Sequence, residues 1–383
     1  MPDVLVSSPG SRRRGYARHR PEETLLYRLV AEHLETFLAE TREKHDRALP
    51  TYVERELRAY LRCGILAHGF GRAECRVCHR QIVVAFSCKK RGLCPSCNAR
   101  RMCKSAAHLT DRVLPDVPVR QWVLSVPFEL RFLLASNAQA FTALTRIFME
   151  ETLAWYERSA AEYGVQKGRG AAVSVQHRFG GALNLNCHVH AAVTDGVFTR
   201  GEKNERAVFH PVRAPDSFAL GFVIERVYKR LVKWLRRHDL LAQYNHERTE
   251  STDPSAMDAC VSTSLSQTGL IRLDDHGLTE PQKPDTADDA ETAPRRAKGK
   301  HGIESLGFNL HAGVRIEAHD RTGREKLLRY CTRAPLSLER LSMMRDGRVA
   351  YRLQRPWRRG ETHRVMQPVE LLARLSALIR RRS

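Results

Sequence analysis

Seven of the ten cysteines in this 383-residue chain fall between residues 63 and 108. Cys75 and Cys78 form one C-x-x-C pair, and Cys94 and Cys97 form another after fifteen intervening residues. Two such knuckles supply four thiolates, the number a tetrahedral structural zinc ion takes. The N-terminus, "MPDVLVSSPGSRRRGYARHR", has no apolar stretch behind its charges and does not read as a secretory signal. A disulfide set is therefore not expected, and Cys75, Cys78, Cys94 and Cys97 read as ligands of structural Zn²⁺. Cys63, Cys88, Cys103, His68, His79 and His108 crowd the same stretch. Cys63 and Cys88 are the first candidates for a second zinc ion, with buried apolar cysteine as the alternative.

Sixty-four Lys and Arg against forty-three Asp and Glu give a net charge of +21. A field of that sign concentrates polyanions, of which nucleic acid is the commonest in a cytosol. Lys89, Lys90, Arg91, Arg100, Arg101 and Lys104 lie among the cysteines, so the zinc module is expected to clamp DNA through its phosphates. No apolar run approaches the roughly 18 residues that span a bilayer, so no membrane partner is expected. The expected location is the cytoplasm, on the nucleoid.

Periodicity divides the rest. Residues 1–20 read as a disordered basic tail, and 21–110 as a helical, zinc-binding and DNA-binding domain. Residues 111–383 read as a second domain with a mobile insertion at about 245–303, rich in Asp, Thr, Ser, Pro and Lys. The fold class is α+β: N-terminal helices and a zinc-ribbon-like module, then an antiparallel sheet flanked by helices.

In "NLNCHVHAAVTDG" the odd positions Leu185, Cys187, Val189, Ala191 and Val193 are apolar, whereas Asn184, Asn186, His188 and His190 alternate with them. A strand places these two sets on opposite faces, so both imidazoles share one side and can hold one cation. Asp195-Gly196 then marks a turn. The preceding strand carries Val173, Val175 and Phe179 on one parity and Ser174, Gln176 and Arg178 on the other. Keeping the apolar faces together predicts a three-residue loop, Gly180 to Ala182. That register sets Gln176 opposite Asn186 and makes its carbonyl a third ligand. Two histidines and an oxygen suit Mg²⁺ or Mn²⁺ polarising a phosphate. A histidine-triad hydrolase would need a third His at position 192, where Ala192 stands.

A nucleophile is offered by the helix "REKLLRYCTRAP". Tyr330 has Lys326 four residues before it and Arg333 three after it. Two cations beside a phenol would favour phenolate and hold a scissile phosphate. Tyr351 is a poorer candidate, because Val349, Tyr351 and Leu353 share the apolar face of a strand.

The succession of a cysteine-knuckle module, "QHRFGGALNLNCHVHAAVTDGVF", "FNLHAGVRIEA" and "RYCTRAPLSLERL" resembles the rolling-circle transposases of the insertion sequence ninety-one family, including the ISCR elements. Those enzymes are HUH endonucleases, named for a His-hydrophobe-His that is His188-Val189-His190 here. The resemblance implies that 111–383 is the catalytic domain and that Tyr330 attacks single-stranded DNA at element termini and target. A 5′-phosphotyrosine and a free 3′-OH would result, with the metal at His188 and His190 stabilising phosphate charge. Some relatives place a second tyrosine four residues on; Ala334 stands there, so this chain resembles the single-tyrosine type. Relatives usually continue past the last helix, whereas this chain stops at "LIRRRS". A plasmid replication initiator or relaxase would use the same chemistry, and a non-catalytic zinc-dependent DNA-binding protein would use none of it.

Overall fold

Leu26, Leu29, Val30, Leu34 and Phe37 recur at helical spacing and are buried along α1 (Leu25–His45). The Thr24 hydroxyl caps that helix by accepting from Tyr27 N at 3.3 Å. The computed structural model describes residues 20–46, 48–79, 81–201, 206–241, 255–274, 277–278, 301–357 and 360–379. The tail expected at 1–20 lies outside them except for Arg20.

After α1 come α2 (Thr51–Leu61), the hairpin strands β1 (Phe70–Glu74) and β2 (Gln81–Ala85), α3 (Pro95–His108), β3 (Val119–Ser125), α4 (Phe128–Ser136) and α5 (Ala138–Glu162). Then follow β4 (Ala172–Phe179), β5 (Leu185–Thr194), β6 (Gly196–Thr199), β7 (Val208–Pro211), α6 (Ser217–Arg237), α7 (Ala256–Leu265), β8 (Leu270–Ile271), β9 (Leu273–Asp274) and β10 (Gly277–Leu278). The described chain closes with β11 (Gly302–Ser305), β12 (Phe308–Ile316), α8 (Arg321–Cys331), β13 (Leu341–Met343), β14 (Val349–Arg352), β15 (His363–Met366) and α9 (Pro368–Leu378). The fold is α+β. Its central sheet is antiparallel in the order β11-β12-β3-β5-β4, and a four-stranded sheet runs β13-β14-β15-β8.

β5 is interior to the central sheet and is covered on both faces. Leu185, Cys187, Val189, Ala191 and Val193 join the main core with Leu144, Phe148, Val223 and Val227. The other face carries His188, His190 and Ala192. Ala192 packs with Leu327, Leu328 and Cys331, so α8 lies over the histidine side.

That second apolar layer corrects the expected hairpin register. Val173 and Val175 pack against the α8 side and not the main core. β4 pairs His177 with His188 and Gln176 with Val189, then Phe179 with Leu185 across a bulge. The loop is thus 180–184, with Gly180 N donating to Asn184 O at 2.8 Å. Gln176 thus lies opposite Val189 and not Asn186, and a shift by an odd number of residues moves every side chain to the opposite face. Gln176 leaves the histidine side, and His177 arrives there.

Part of the expected mobile insertion is ordered core. Ala256, Cys260, Val261 and Ser264 of α7 are buried. The fully buried Arg364 and Arg374 donate to Ser266 O at 3.2 and 3.3 Å, giving the carbonyl that follows the helix a cationic partner. Apolar residues at helical spacing amid a polar stretch explain the difference. Residues 245–254, 275–276 and 279–300 of that insertion lie outside the described set.

Asp195 is no tight turn but a buried ionic junction between β5 and β6. Its carboxylate accepts from Arg120 at 2.7 and 2.8 Å, from Arg315 at 2.7 Å and from Tyr156 Oη at 2.9 Å. Arg120 also donates to Ala312 O at 3.0 Å, inside the β12 bulge, tying three strands together. Removing one partner of a buried pair strands the other charge. Asp195→Asn should therefore lower the unfolding free energy by about 3–5 kcal/mol in urea denaturation, a surface-like loss below 1 kcal/mol being the contrary result.

Candidate active site and metal centres

His177, His188 and His190 meet beneath α8. Their ring centroids are 4.6 to 5.0 Å apart, and one nitrogen from each lies within 4.8 Å of the others. They are 3, 6 and 1 % exposed. Each ring spends its other nitrogen on a polar neighbour. His177 Nε2 donates to Cys331 O at 2.6 Å, and His188 Nδ1 donates to Asn186 O at 2.9 Å. The Gln121 side-chain nitrogen lies 3.2 Å from His190 Nδ1. The ring nitrogens left over are His177 Nδ1, His188 Nε2 and His190 Nε2. His177 Nδ1 and His190 Nε2 are buried with no hydrogen-bond partner. Unpartnered buried nitrogens on rings oriented from behind suit the binding of a metal ion.

Burial is the main cause that lowers the three histidines, to about 3 for His177, 4 for His188 and 2 for His190. The neighbouring imidazoles and Arg333 push His177 and His190 the same way. All three are neutral at pH 7 and free to coordinate. Below about pH 6.5 an unfolded chain binds protons that the folded one refuses, so stability falls as pH drops from there towards the folded values. Thermal melts without added divalent ion should show that decline, and His177→Asn should flatten it.

Tyr330 projects from the last turn of α8, 44 % exposed, with its ring edge-on to His190 at 5.3 Å between centroids. The Arg333 guanidinium lies 4.6 Å from the Tyr330 ring centre and 5.6 Å from that of Phe179. Lys326 is exposed one turn earlier on the same helix. Tyr351 is core: it is buried, and its hydroxyl accepts from Ser337 N at 3.3 Å.

Gln176 is not with these groups. Its amide donates to Phe141 O at 3.1 Å and Thr145 Oγ1 at 2.7 Å, on the α5 side of the sheet. His177 takes the place expected of it. The signal was present in "QHRF", but parity alone assigned that residue to the wrong face.

The cysteines also regroup. The Sγ atoms of Cys63, Cys88, Cys94 and Cys97 lie within 4.8 Å of one another, with Cys63–Cys97, Cys88–Cys97 and Cys63–Cys94 each at 3.6 Å. A tetrahedron of ligands about 2.3 Å from zinc has edges of about 3.8 Å, so the cluster fits the ion. Thiol contacts hold Cys97 far below the ordinary range and Cys63 at about 7, while Cys88 and Cys94 are pushed up. Ionising all four at this distance would call for a cation between them. Cys75 and Cys78 are exposed at the β1–β2 turn and form no part of this cluster, which corrects the expected ligand set. Cys94 and Cys97 stay ligands because Pro95 starts α3 between them; Cys63 and Cys88 join from the ends of α2 and the hairpin. Buried Glu56 fixes the approach by accepting from Gly92 N and from Leu93 N at 3.0 Å. A Cβ at Gly92 would lie 2.6 Å from that carboxylate oxygen, so the position needs glycine.

Of the expected DNA contacts in this module, Lys89, Arg91 and Arg100 are exposed and Lys90 is half-buried. Arg101 is not among the free cations: it donates to Lys90 O at 2.8 Å and Asn98 Oδ1 at 3.1 Å, bracing the cysteine loop.

A family model described as "Putative transposase" matches residues 171–383, more than half of the chain. A second, described as "Transposase zinc-binding domain" and of the IS91 type, matches residues 29–126. The chain belongs to the IS91-like transposases. DNA is accordingly the transposase's partner, and the matched zinc-binding domain contains all four clustered cysteines. No curated protein and no solved structure matches the transposase. Among its described residues, no helix is long and apolar enough to cross a membrane. Metal analysis of the purified transposase should find that Cys63→Ser and Cys88→Ser each lose zinc, whereas Cys75→Ser keeps it. The reverse pattern would restore the paired-knuckle assignment.

Proposed function

We propose that this transposase is a single-tyrosine, HUH-type enzyme that nicks and transfers single-stranded DNA by rolling-circle chemistry. The observation that carries the reading is the Tyr330 ring lying against His190, one member of a three-imidazole cluster. His177, His188 and His190 would hold a divalent ion, which supplies charge to a phosphate oxygen and makes phosphorus a better electrophile. Three nitrogen donors favour Mn²⁺ over Mg²⁺, since imidazole suits ions later in the affinity series.

Arg333 holds the Tyr330 ring in place and presents a cation beside it. The phenol oxygen attacks phosphorus, forming the Tyr330 Oη–P bond and breaking the P–O3′ bond. The phenol's proton is balanced by the one gained on the released 3′-OH. The product is a 5′-phosphotyrosine, whose bond energy is retained for strand transfer without a nucleotide cofactor.

Incubating labelled single-stranded terminus DNA with the protein and Mn²⁺ should yield a covalent adduct on a denaturing gel. Tyr330→Phe should abolish it, and His177→Ala should reduce it at least a hundredfold. Gln176→Ala should leave it within a few fold of wild type. Persistence of the adduct in Tyr330→Phe would remove that residue from the chemistry.

A further inference from the structure

Beside the cysteine cluster, between α2 and the β1–β2 hairpin, lies a cavity of about 460 Å³ whose lining includes Glu54, Arg55, Arg58, Arg62, His68 and Phe86. Cavities of that size accept a small organic ligand, and a single nucleotide is of that class. Arg55, Arg58 and Arg62 lie along one stripe of α2 and its C-terminal end. Arg58 is occupied, bonding Glu35 at 2.6 Å and Glu54 at 2.8 Å. Arg55 and Arg62 are exposed, and neither has a carboxylate partner among the described residues. The lining therefore keeps two uncommitted guanidiniums facing solvent.

Phe86 forms the opposite wall and is 60 % exposed. An exposed aromatic side chain is ordinarily free to move, but this one is held by its backbone. Phe86 N donates to Gly69 O at 2.9 Å, and Gly64 N donates to Phe86 O at 2.9 Å. The ring sits over Gly69, whose φ is +111° and whose Cβ, if it had one, would lie 2.8 Å from the Phe86 ring. Two residues later, Cys88 enters the thiolate cluster. The cysteine cluster and these backbone hydrogen bonds thus hold a solvent-facing π surface across from two free cations. Val84, two residues before Phe86, is also exposed.

We infer that this cavity is a binding pocket for one unpaired DNA nucleotide, its base stacked on Phe86 and its flanking phosphates on Arg55 and Arg62. Stacking needs a base with a free face, so the pocket selects single-stranded over paired DNA. The pocket is independent of the Tyr330 chemistry proposed above.

The test uses the full chain carrying Tyr330→Phe, zinc-loaded, so that cleavage cannot contribute. Fluorescence anisotropy is read with a dye-labelled single strand, the same strand containing abasic sites, and the corresponding duplex, across a salt series. Phe86→Ala should weaken single-strand binding about tenfold, the loss of one base–aromatic stack, while leaving the salt slope unchanged. The abasic strand should bind wild type and Phe86→Ala alike. Arg55→Gln with Arg62→Gln should reduce the salt slope by about 1.4, two single-strand phosphates. Zinc content is measured for each variant, and Phe86→Leu, which keeps bulk but removes the π face, replaces Phe86→Ala if zinc is lost. Equal affinity of wild type and Phe86→Leu for the intact strand overturns the inference, as does an equal loss on duplex and single strand. Failure of Tyr330 to form an adduct would leave this result untouched.

Discussion

The hydrogen bond from His177 Nε2 to Cys331 O, at 2.6 Å, joins the two halves of the candidate site. It ties the last turn of α8 to the central sheet and fixes which nitrogen of His177 is protonated. A helix's final carbonyls have no partner within the helix and carry its negative end, so a ring N–H is a suitable partner for one of them. The same turn carries Tyr330 one residue earlier. The nucleophile candidate and one of the three clustered imidazoles are therefore positioned by the same helix turn. Cys331 contributes again through its thiol, 3.7 Å from the Gln121 amide that faces His190.

Burial under α8 gives these groups their chemical character. An exposed histidine pair would titrate near neutrality and share its lone pairs with water. Here desolvation is the leading cause that keeps all three imidazoles neutral, and two ring nitrogens are left without partners. The Asp195 junction lies on the opposite side of the sheet, where Arg120 and Tyr156 reach the carboxylate. Its strong fixed charges hold β3, β5 and β12 in one register, and that register sets Gln121 beside Ala192 and Val123 beside His190.

Much of this was legible in residue order. The segment "REKLLRYCTRAP" reads as the helix that is α8, and strict alternation placed His188 and His190 on one side of a strand. The third imidazole was lost because alternation in β4 is symmetrical: Val173 and Val175 need an apolar surface, and two such surfaces exist. Only the packing of Leu327 and Leu328 decides between them. The zinc ligands were misassigned for a related reason. Two C-x-x-C pairs in one stretch suggest a shared ion, but spacing along the chain does not say which loops return to the same point. Glu56, far upstream, brings Gly92 and Leu93 to α2 and thereby draws Cys94 towards Cys63. In α7 the polar flanks concealed a short apolar period, and the two buried arginines that anchor its end are more than ninety residues away.

The cysteine and histidine clusters are mechanically continuous. α3 begins between Cys94 and Cys97, and its far half brings Ala106 against Leu327, Leu328 and Cys331 of α8. Ion pairs reinforce that contact on its rim, Arg321 to Asp111 and Arg324 to Asp116, each at 2.7 Å. The rim pairs add little energy in water, so the apolar contact bears the connection. The clusters differ in kind: four contacting thiols close one completely, whereas three imidazoles beneath an exposed phenol leave the other open on one side. A closed thiolate cage fixes the start of α3, and α3 in turn supports the helix from which Tyr330 projects. The position of the phenol therefore rests on the zinc module as well as on the sheet beneath it.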